Sequence, residues 1–348
     1  MPTIDADAHV IETDHTWDFM DSSEARYKPV NLATTDQGSN RLYWIIDGKL
    51  KARRTNIGLD TTETSREMLD VEARLKHMDE LGVDIQVLYP TIFTRKMADN
   101  PAADLALAKS YNRWMAEIWS QAKERLRWVA VPPLLDLSEA PTVLQDAKKN
   151  GACGIFMRGF EGERHLSDPY FFPLYDVAGD LDMPICVHAG NANPDVVNFM
   201  GVGETRGSFL ISKIPVFGSF HSLVFGKIPQ KYPRLRFGFV EASSQWVPYV
   251  LHDLVRRTAH RAGQHLQGKM TNQVLRENRM YVACQTDDDV PYILSYAGED
   301  NLIMGTDYGH ADTAAELEAI ATFRKSCPVD RRIVDKILEH NPAALYGL

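Results

Sequence analysis

The sequence predicts a closed (β/α)8 barrel on three observations: eight short apolar runs, helical patterning between them, and charged side chains gathered where the runs end. The runs cover residues 3–7, 83–90, 128–133, 154–157, 184–188, 235–241, 280–285 and 301–305. They are rich in β-branched and aromatic residues and nearly continuous in apolar character, as strands buried on both faces are. Between them the period changes. Over 103–124, Leu107, Tyr111, Trp114 and Ile118 recur at spacings of three and four, which makes one apolar helix face, and its aromatics read as core. Helical segments also read over 65–81, over 137–150 and over 172–181. Eight strands alternating with helices imply a parallel sheet closed on itself.

One interval breaks the rhythm. Residues 13–64 separate the first strand from the first helix and contain Asp47-Gly48 between two extended runs. Asp-Gly in that setting signals a tight hairpin, because both turn positions take positive φ. The insertion leaves the first strand at the end where barrels of this kind carry their chemistry. It reads as a lid on a single 1–348 domain, the alternative being a surface loop. A second irregular stretch, 190–209, is rich in Gly and Asn and follows the fifth strand.

A chain of 348 residues suits one barrel with an insertion. A formal net charge of -9 leaves no basic surplus to neutralise phosphates, which speaks against a nucleic-acid partner. No segment has the pattern of a signal peptide, and no window approaches the roughly 18 apolar residues of a membrane helix. Of four cysteines, Cys153, Cys186 and Cys284 lie in apolar runs and none forms a CxxC pair, so buried thiols in a reducing, cytoplasmic compartment are expected.

Active-site groups of such barrels stand at the C-terminal ends of the strands. The first strand carries Asp5, Asp7 and His9, which alternation places on one face, with Glu12 just beyond. Inward charges on a buried strand are costly without a partner, and a cation is the obvious one. The fourth strand ends at Arg158, the fifth at His188, the sixth at Glu241, and the eighth is followed by Asp307 and His310. Imidazoles and carboxylates converging on one barrel mouth are ligands for Zn, Mn or Fe. His310 reads either as a substrate contact or as a solvated loop residue. His221 lies in an apparent helix, Trp246 reads as core, and His252, His260 and His265 read as surface groups of a basic helical segment.

The segments DADAHVIE, VHAG, PRLRFGFVEASSQW, MGTDYGHAD and HNPAALYGL resemble the amidohydrolase superfamily, in the amidohydrolase-related branch that holds the aminocarboxymuconate semialdehyde and γ-resorcylate decarboxylases. The resemblance spans the chain apart from 13–64. It implies that Asp7 and His9 match the paired ligands of the first strand, His188 the fifth-strand ligand, and Asp307 the eighth-strand aspartate that binds metal and moves protons. Three positions depart from the family pattern. The first strand reads Asp-x-His rather than His-x-His, Glu241 stands where His is usual, and the place of a carboxylated Lys offers Arg158. The set is thereby richer in oxygen, which favours Mn or Fe over Zn.

What the resemblance implies is a metal-dependent hydrolase or non-oxidative decarboxylase of a small carboxylate-bearing substrate. Asp307 would be base or proton donor, and Arg158 either a fork for a substrate carboxylate or half of a structural ion pair. The alternative is a non-haem di-iron, O2-dependent monooxygenase, with Glu241 and Glu12 on a second iron; a third reading is a metal-bound barrel that binds without turnover. Glu241, close to Asp7 and Asp307, is expected within about 5 Å of the metal, either protonated as an acid or beside a second cation. A homo-oligomer is compatible with the resemblance.

Overall fold

The computed structural model describes residues 1–36, 39–53, 56–200, 209–260 and 271–348. The strands are β1 (Ile4–Val10), β2 (Val30–Asp36), β3 (Ser39–Ile46), β4 (Lys49–Ala52), β5 (Ile85–Pro90), β6 (Leu126–Ala130), β7 (Ala152–Arg158), β8 (Phe160–Glu161), β9 (Arg164–His165), β10 (Ile185–His188), β11 (Phe237–Val240), β12 (Met280–Cys284) and β13 (Leu302–Met304). Eight of these form one parallel sheet in the order β1-β5-β6-β7-β10-β11-β12-β13, the expected barrel. Every residue of β1 and β7 is buried, since the barrel interior covers one face and the helices cover the other.

The barrel closes between its first and last strands. The Asp307 amide donates to Asp7 O, and the His9 amide donates to Tyr308 O, both at 2.9 Å. Gly305 makes this approach possible: a Cβ there would stand 2.4 Å from the Asp7 Cβ and 2.8 Å from its backbone. The β1–β5 register slips between Asp5 and Ala8. Such a bulge re-aims side chains locally, and this one lies beside Asp7.

Helices pack outside the barrel. The longest, Pro101–Gln121, buries Leu107, Tyr111, Trp114 and Ile118 on its inner face. The expected helix over 65–81 is broken into Glu63–Arg66 and Val71–Leu81. The cause is local: the Asp70 carboxylate caps the second piece by accepting from the Glu72 and Ala73 amides. Cys153, Cys186 and Cys284 are buried thiols, Trp246 is core, and His252 is exposed. His265 and the side chain of His260 lie outside the described residues. No helix among the described residues is long and apolar enough to cross a membrane.

The insertion forms an antiparallel sheet, β2-β3-β4. Asp47 and Gly48 turn between β3 and β4 with φ of 48° and 71°, as the Asp-Gly pair requires. This turn is tied to the barrel: Asp47 Oδ2 accepts from the Asp99 and Asn100 amides at 2.8 and 2.9 Å. Buried Trp44 meets Trp17 edge to face, ring centroids 6.1 Å apart. The segment 190–209 includes a helix, Pro194–Met200, and residues 201–208 of it lie outside the described residues.

Gly305→Ala should destabilise the seam by at least the roughly 1–3 kcal/mol of ordinary overpacking, read as a lowered Tm. Gly179→Ala is the contrast. It lies in the helix Phe172–Asp180, where a Cβ meets nothing within 4 Å, so its Tm should hold or rise. Equal Tm values for the two variants would contradict the account of the closure.

Candidate metal centre

Strand ends and the turns after them place the polar side chains at one mouth of the barrel. Two of those turns are strained: Glu241 and Asp307 have φ of 57° and 50°. Left-handed backbone is uncommon outside Gly and is held only where the surroundings enforce it. It bends the chain as it leaves β11 and β13, with both carboxylates in the cluster.

The donor atoms of Asp7, His9 and His188 lie within 4.8 Å of one another, and so do those of His9, Glu241, Asp307 and His310. His9 Nε2 is 2.9 Å from His188 Nε2 and 3.3 Å from Asp307 Oδ1. Glu241 Oε2 is 2.7 Å from His188 Nε2 and 3.9 Å from His9 Nε2. Asp7 Oδ1 is 3.7 Å from both imidazoles. Asp7, His9, His188, Glu241 and Asp307 are thus brought together.

The outer hydrogen bonds of the imidazoles set their tautomers. His188 Nδ1 is 2.7 Å from Ala189 O, and a carbonyl only accepts, so Nδ1 carries the proton. His9 makes a backbone bond to Pro90, which fixes it in the same way. Two Nε2 lone pairs therefore face each other at 2.9 Å with no proton between them. That arrangement is repulsive alone and matches adjacent ligands of one metal, whose donors lie about 3 Å apart for bonds of about 2.1 Å. Asp7 Oδ1, Glu241 Oε2 and both Asp307 carboxylate oxygens are buried without a hydrogen-bond partner, which fits the same cation.

Two members of the site carry a weaker sequence signal. His310 is buried and stacks on His9 with ring centroids 3.7 Å apart. Thr91 Oγ1 donates to Val10 O, so it must accept from His310 Nε2 at 2.9 Å. The His310 Nδ1 lone pair then turns inward, 2.7 Å from Asp307 Oδ1. Of the two readings open for His310, the solvated loop is excluded. Asp312 hydrogen-bonds the Glu241 carboxyl and is itself held by Asn56 Nδ2 at 2.7 Å. Both follow Asp307 within five residues, and that spacing was the available signal.

Other expected residues stand elsewhere. The two Glu12 oxygens accept from the Thr91 and Ile92 amides at 3.1 and 3.0 Å, so Glu12 braces the loop after β5 and is not among the grouped donors. Arg158 forks onto Glu161, with Nε at 2.9 Å, and its Nη1 donates to Phe93 O and Arg95 O. These bonds engage Nε, Nη1 and Nη2 within the protein, the geometry of the structural ion pair and not of a free fork. Asp5 accepts from Thr306 and Gln86 and supports the cluster from below. His221 pairs with Asp253 at 3.3 Å, outside the grouped donors.

Burial holds the Asp7, Glu241 and Asp307 carboxyls well above the ordinary range, with repulsion from neighbouring carboxylates adding to it. The same desolvation holds His9 well below its usual value and His310 at about 4. Without a cation the low-dielectric pocket favours neutral forms throughout. Metal must then displace carboxyl protons but none from the imidazoles.

Two outcomes follow. Apparent metal affinity should rise with pH through neutrality, with proton release seen as a buffer-dependent heat in titration calorimetry. The metal-free chain should lose stability as pH climbs above about 4, because its raised carboxyls keep protons that the unfolded chain releases. A heat independent of buffer would refute the assignment. His188→Ala should remove most of the bound metal, measured by elemental analysis; full retention would exclude His188 as a ligand.

The family model described as amidohydrolase matches residues 4–348. Among solved structures, an amidohydrolase from Mycobacterium avium subsp. paratuberculosis K-10 is 17% identical with a TM-score of 0.79, over 100% of this chain and 98% of its own. A 5-carboxyvanillate decarboxylase from Novosphingobium aromaticivorans DSM 12444, complexed with manganese and 4-hydroxy-3-methoxy-5-nitrobenzoic acid, is 20% identical with a TM-score of 0.64, over 80% and 81%. A 2,6-dihydroxybenzoate decarboxylase complexed with 2,6-dihydroxybenzoate is 19% identical with a TM-score of 0.59, over 79% and 87%. At these identities the likeness to solved structures is one of fold. The match of the family model from the first strand to the final helix is one of sequence, and by it this chain belongs to the amidohydrolase family.

Proposed function

We propose that the chain is a metal-dependent hydrolase or non-oxidative decarboxylase acting on a small organic acid. One observation carries the reading: two proton-free imidazole nitrogens 2.9 Å apart, ringed by unpartnered buried carboxylate oxygens. Beside them opens a cavity of about 780 Å³ lined in part by Glu241, His310 and Asp312, a size suited to a small molecule. Asp7, His9, His188 and Asp307 would hold the metal, with Glu241 and His310 next to it. The oxygen-rich set suits Mn or Fe better than Zn, and the manganese-bound decarboxylase shares the fold. Bound there, a divalent metal supplies Lewis acidity toward a carbonyl or a carboxylate.

The protein side of the chemistry falls to Asp307. Its oxygens receive no N–H or hydroxyl donor, and burial, with the neighbouring Asp312 carboxylate, favours its protonated form. In decarboxylation the bond from carbon to the leaving CO2 breaks, and Asp307 passes to that carbon a proton that it takes up from solvent water. In hydrolysis the same carboxylate takes a proton from the attacking water. Glu241, on the cavity side, orients the reacting group.

The insertion serves as a lid on the single domain. Trp44, Lys49, Lys51, Arg53, Asn56 and Ile57 line the cavity, which supports that role. A cytoplasmic location belongs to the same proposal and is supported by four unpaired cysteines; a homo-oligomer rests on the family resemblance. The di-iron oxygenase reading is not favoured, because Glu12, its expected second-metal ligand, is held by two backbone amides.

Glu241→Gln tests the reading. The amide keeps size and removes charge, so about one metal per chain should remain while turnover falls by about 100-fold or more. A fall from two metals to one would show a dinuclear centre, and unchanged turnover would make Glu241 a bystander. Assays of candidate acids for CO2 release and for hydrolysis, run with and without O2, separate the two chemistries from oxygenation.

A further inference from the structure

The cavity wall away from the metal centre has its own chemistry. Lys49 and Lys51 on β4, and Arg95 and Lys96 beyond β5, all line it together with Asp99. Asp99 is engaged by Lys49 Nζ, and by Lys96 Nζ at 2.6 Å. Those two cations hold its carboxyl down at about 2, so it is fully charged. Asp99 is the only carboxylate among these five residues. Lys51 is half-buried between them, and its ammonium donates to a backbone carbonyl, Lys96 O, at 2.7 Å. Burial lowers its pKa, the Lys49 charge adds to that with smaller parts from Lys96 and Arg95, and Asp99 opposes it. Lys49, Lys51 and Lys96 thus stand together on one stretch of the cavity wall, with the Asp99 carboxylate engaged by Lys49 and Lys96 and the Asp47 charge also acting on Lys49.

An anion is the species that such a wall stabilises, and the cavity is where it would enter. Two anion positions then exist in one chamber. One is the metal centre; the other is the wall formed by β4 and the loop after β5.

We propose that this wall is a subsite for a second anionic group of the substrate, with Lys51 as its principal contact, so that the substrate class is small dianionic acids. One anionic group meets the metal and a carboxylate or phosphate at the far end of the same molecule meets Lys51. This rests on the reading of the cavity as the active site. It adds a specificity that the metal centre does not supply, since Lys51 discriminates between acids that share a reacting end. It also explains why the hairpin turn is fastened by Asp47 to the Asp99 and Asn100 amides: the fastening fixes β4, and with it Lys51, against the loop that carries Arg95 and Lys96.

The experiment uses full-length, metal-loaded protein and three probes in titration calorimetry: benzoate, isophthalate and 3-carboxyphenyl phosphate. The dianions should bind about tenfold more tightly than benzoate, the ratio that one charge-assisted contact gives. Higher ionic strength should narrow the gap. The tighter of the two dianions identifies the distal group. Lys51→Met should bring both dianions to the benzoate level, with metal content and Tm as controls on folding. Lys51→Arg should restore much of the preference. If benzoate binds and the dianions bind no better, the subsite is overturned and the active-site reading stands. If no probe binds the loaded protein, both fall. If Lys51→Met keeps the dianion preference at unchanged metal content, the assignment to Lys51 is overturned.

Discussion

The site depends on the seam where β1 meets the chain leaving β13. Closing a parallel sheet into a barrel requires the first strand to find the last, and here that contact uses two backbone hydrogen bonds at Asp7 and His9, whose side chains belong to the grouped donors. The bonds that complete the fold are the bonds that assemble the site. The two carboxylates and the imidazole of the seam sit at fixed separations because their own main chains are paired. Asp5 reinforces this from below. It bridges Thr306 on one side and Gln86 on the other, and Gln86 passes the interaction on to the buried Arg74 guanidinium. Arg74 in turn lies over the Tyr308 ring, 3.6 Å from its centroid, and donates to His9 O. A buried charge network thus supports the grouped donors from beneath, as outer hydrogen bonds support the ligands of metal sites.

The electrostatics of the mouth follow from burial. Asp7, His9, His188 and Asp307 are buried, so a charge there is costly unless another group answers it. The structure answers Arg158 with Glu161 and Glu12 with backbone amides. It leaves Asp7 Oδ1, Glu241 Oε2 and the Asp307 carboxylate oxygens without a protein N–H or hydroxyl donor. The contrast separates charged groups satisfied within the scaffold from carboxylates with unpartnered buried oxygens, although all look alike as charged residues at strand ends.

That contrast also explains how much was legible in the sequence. The eight barrel strands were, because burial on both faces writes continuous apolar runs. The β3–β4 hairpin was, through Asp47-Gly48. Strand β2 was not: most of its residues are exposed, and VNLATTD carries no core pattern. Among candidate ligands, His9, His188 and Asp307 stood out by type and place, helped by the family resemblance. For Arg158 and Glu12 the partners within the protein could not be seen from position alone. Glu161 lies three residues beyond Arg158, across a turn, and Glu12 is satisfied by amides, which leave no trace in composition. His310 and Asp312 were under-read because loop residues point where the backbone sends them. It took the strained turn at Asp307 and the Thr91 hydroxyl to aim His310 inward.

The seam has a consequence for how the molecule is made. Asp5 and Thr306, which it joins, lie 301 residues apart, so the contact cannot form until nearly all the barrel has been synthesised. Until then Asp7 and His9 belong to a strand with one neighbour, and a cation that met them would find a partial and readily exchanged set of donors. The strong set appears only when β13 docks and brings Asp307 with it. The full group of donors therefore comes together late in biogenesis, with the completion of the sheet, and not on the growing chain.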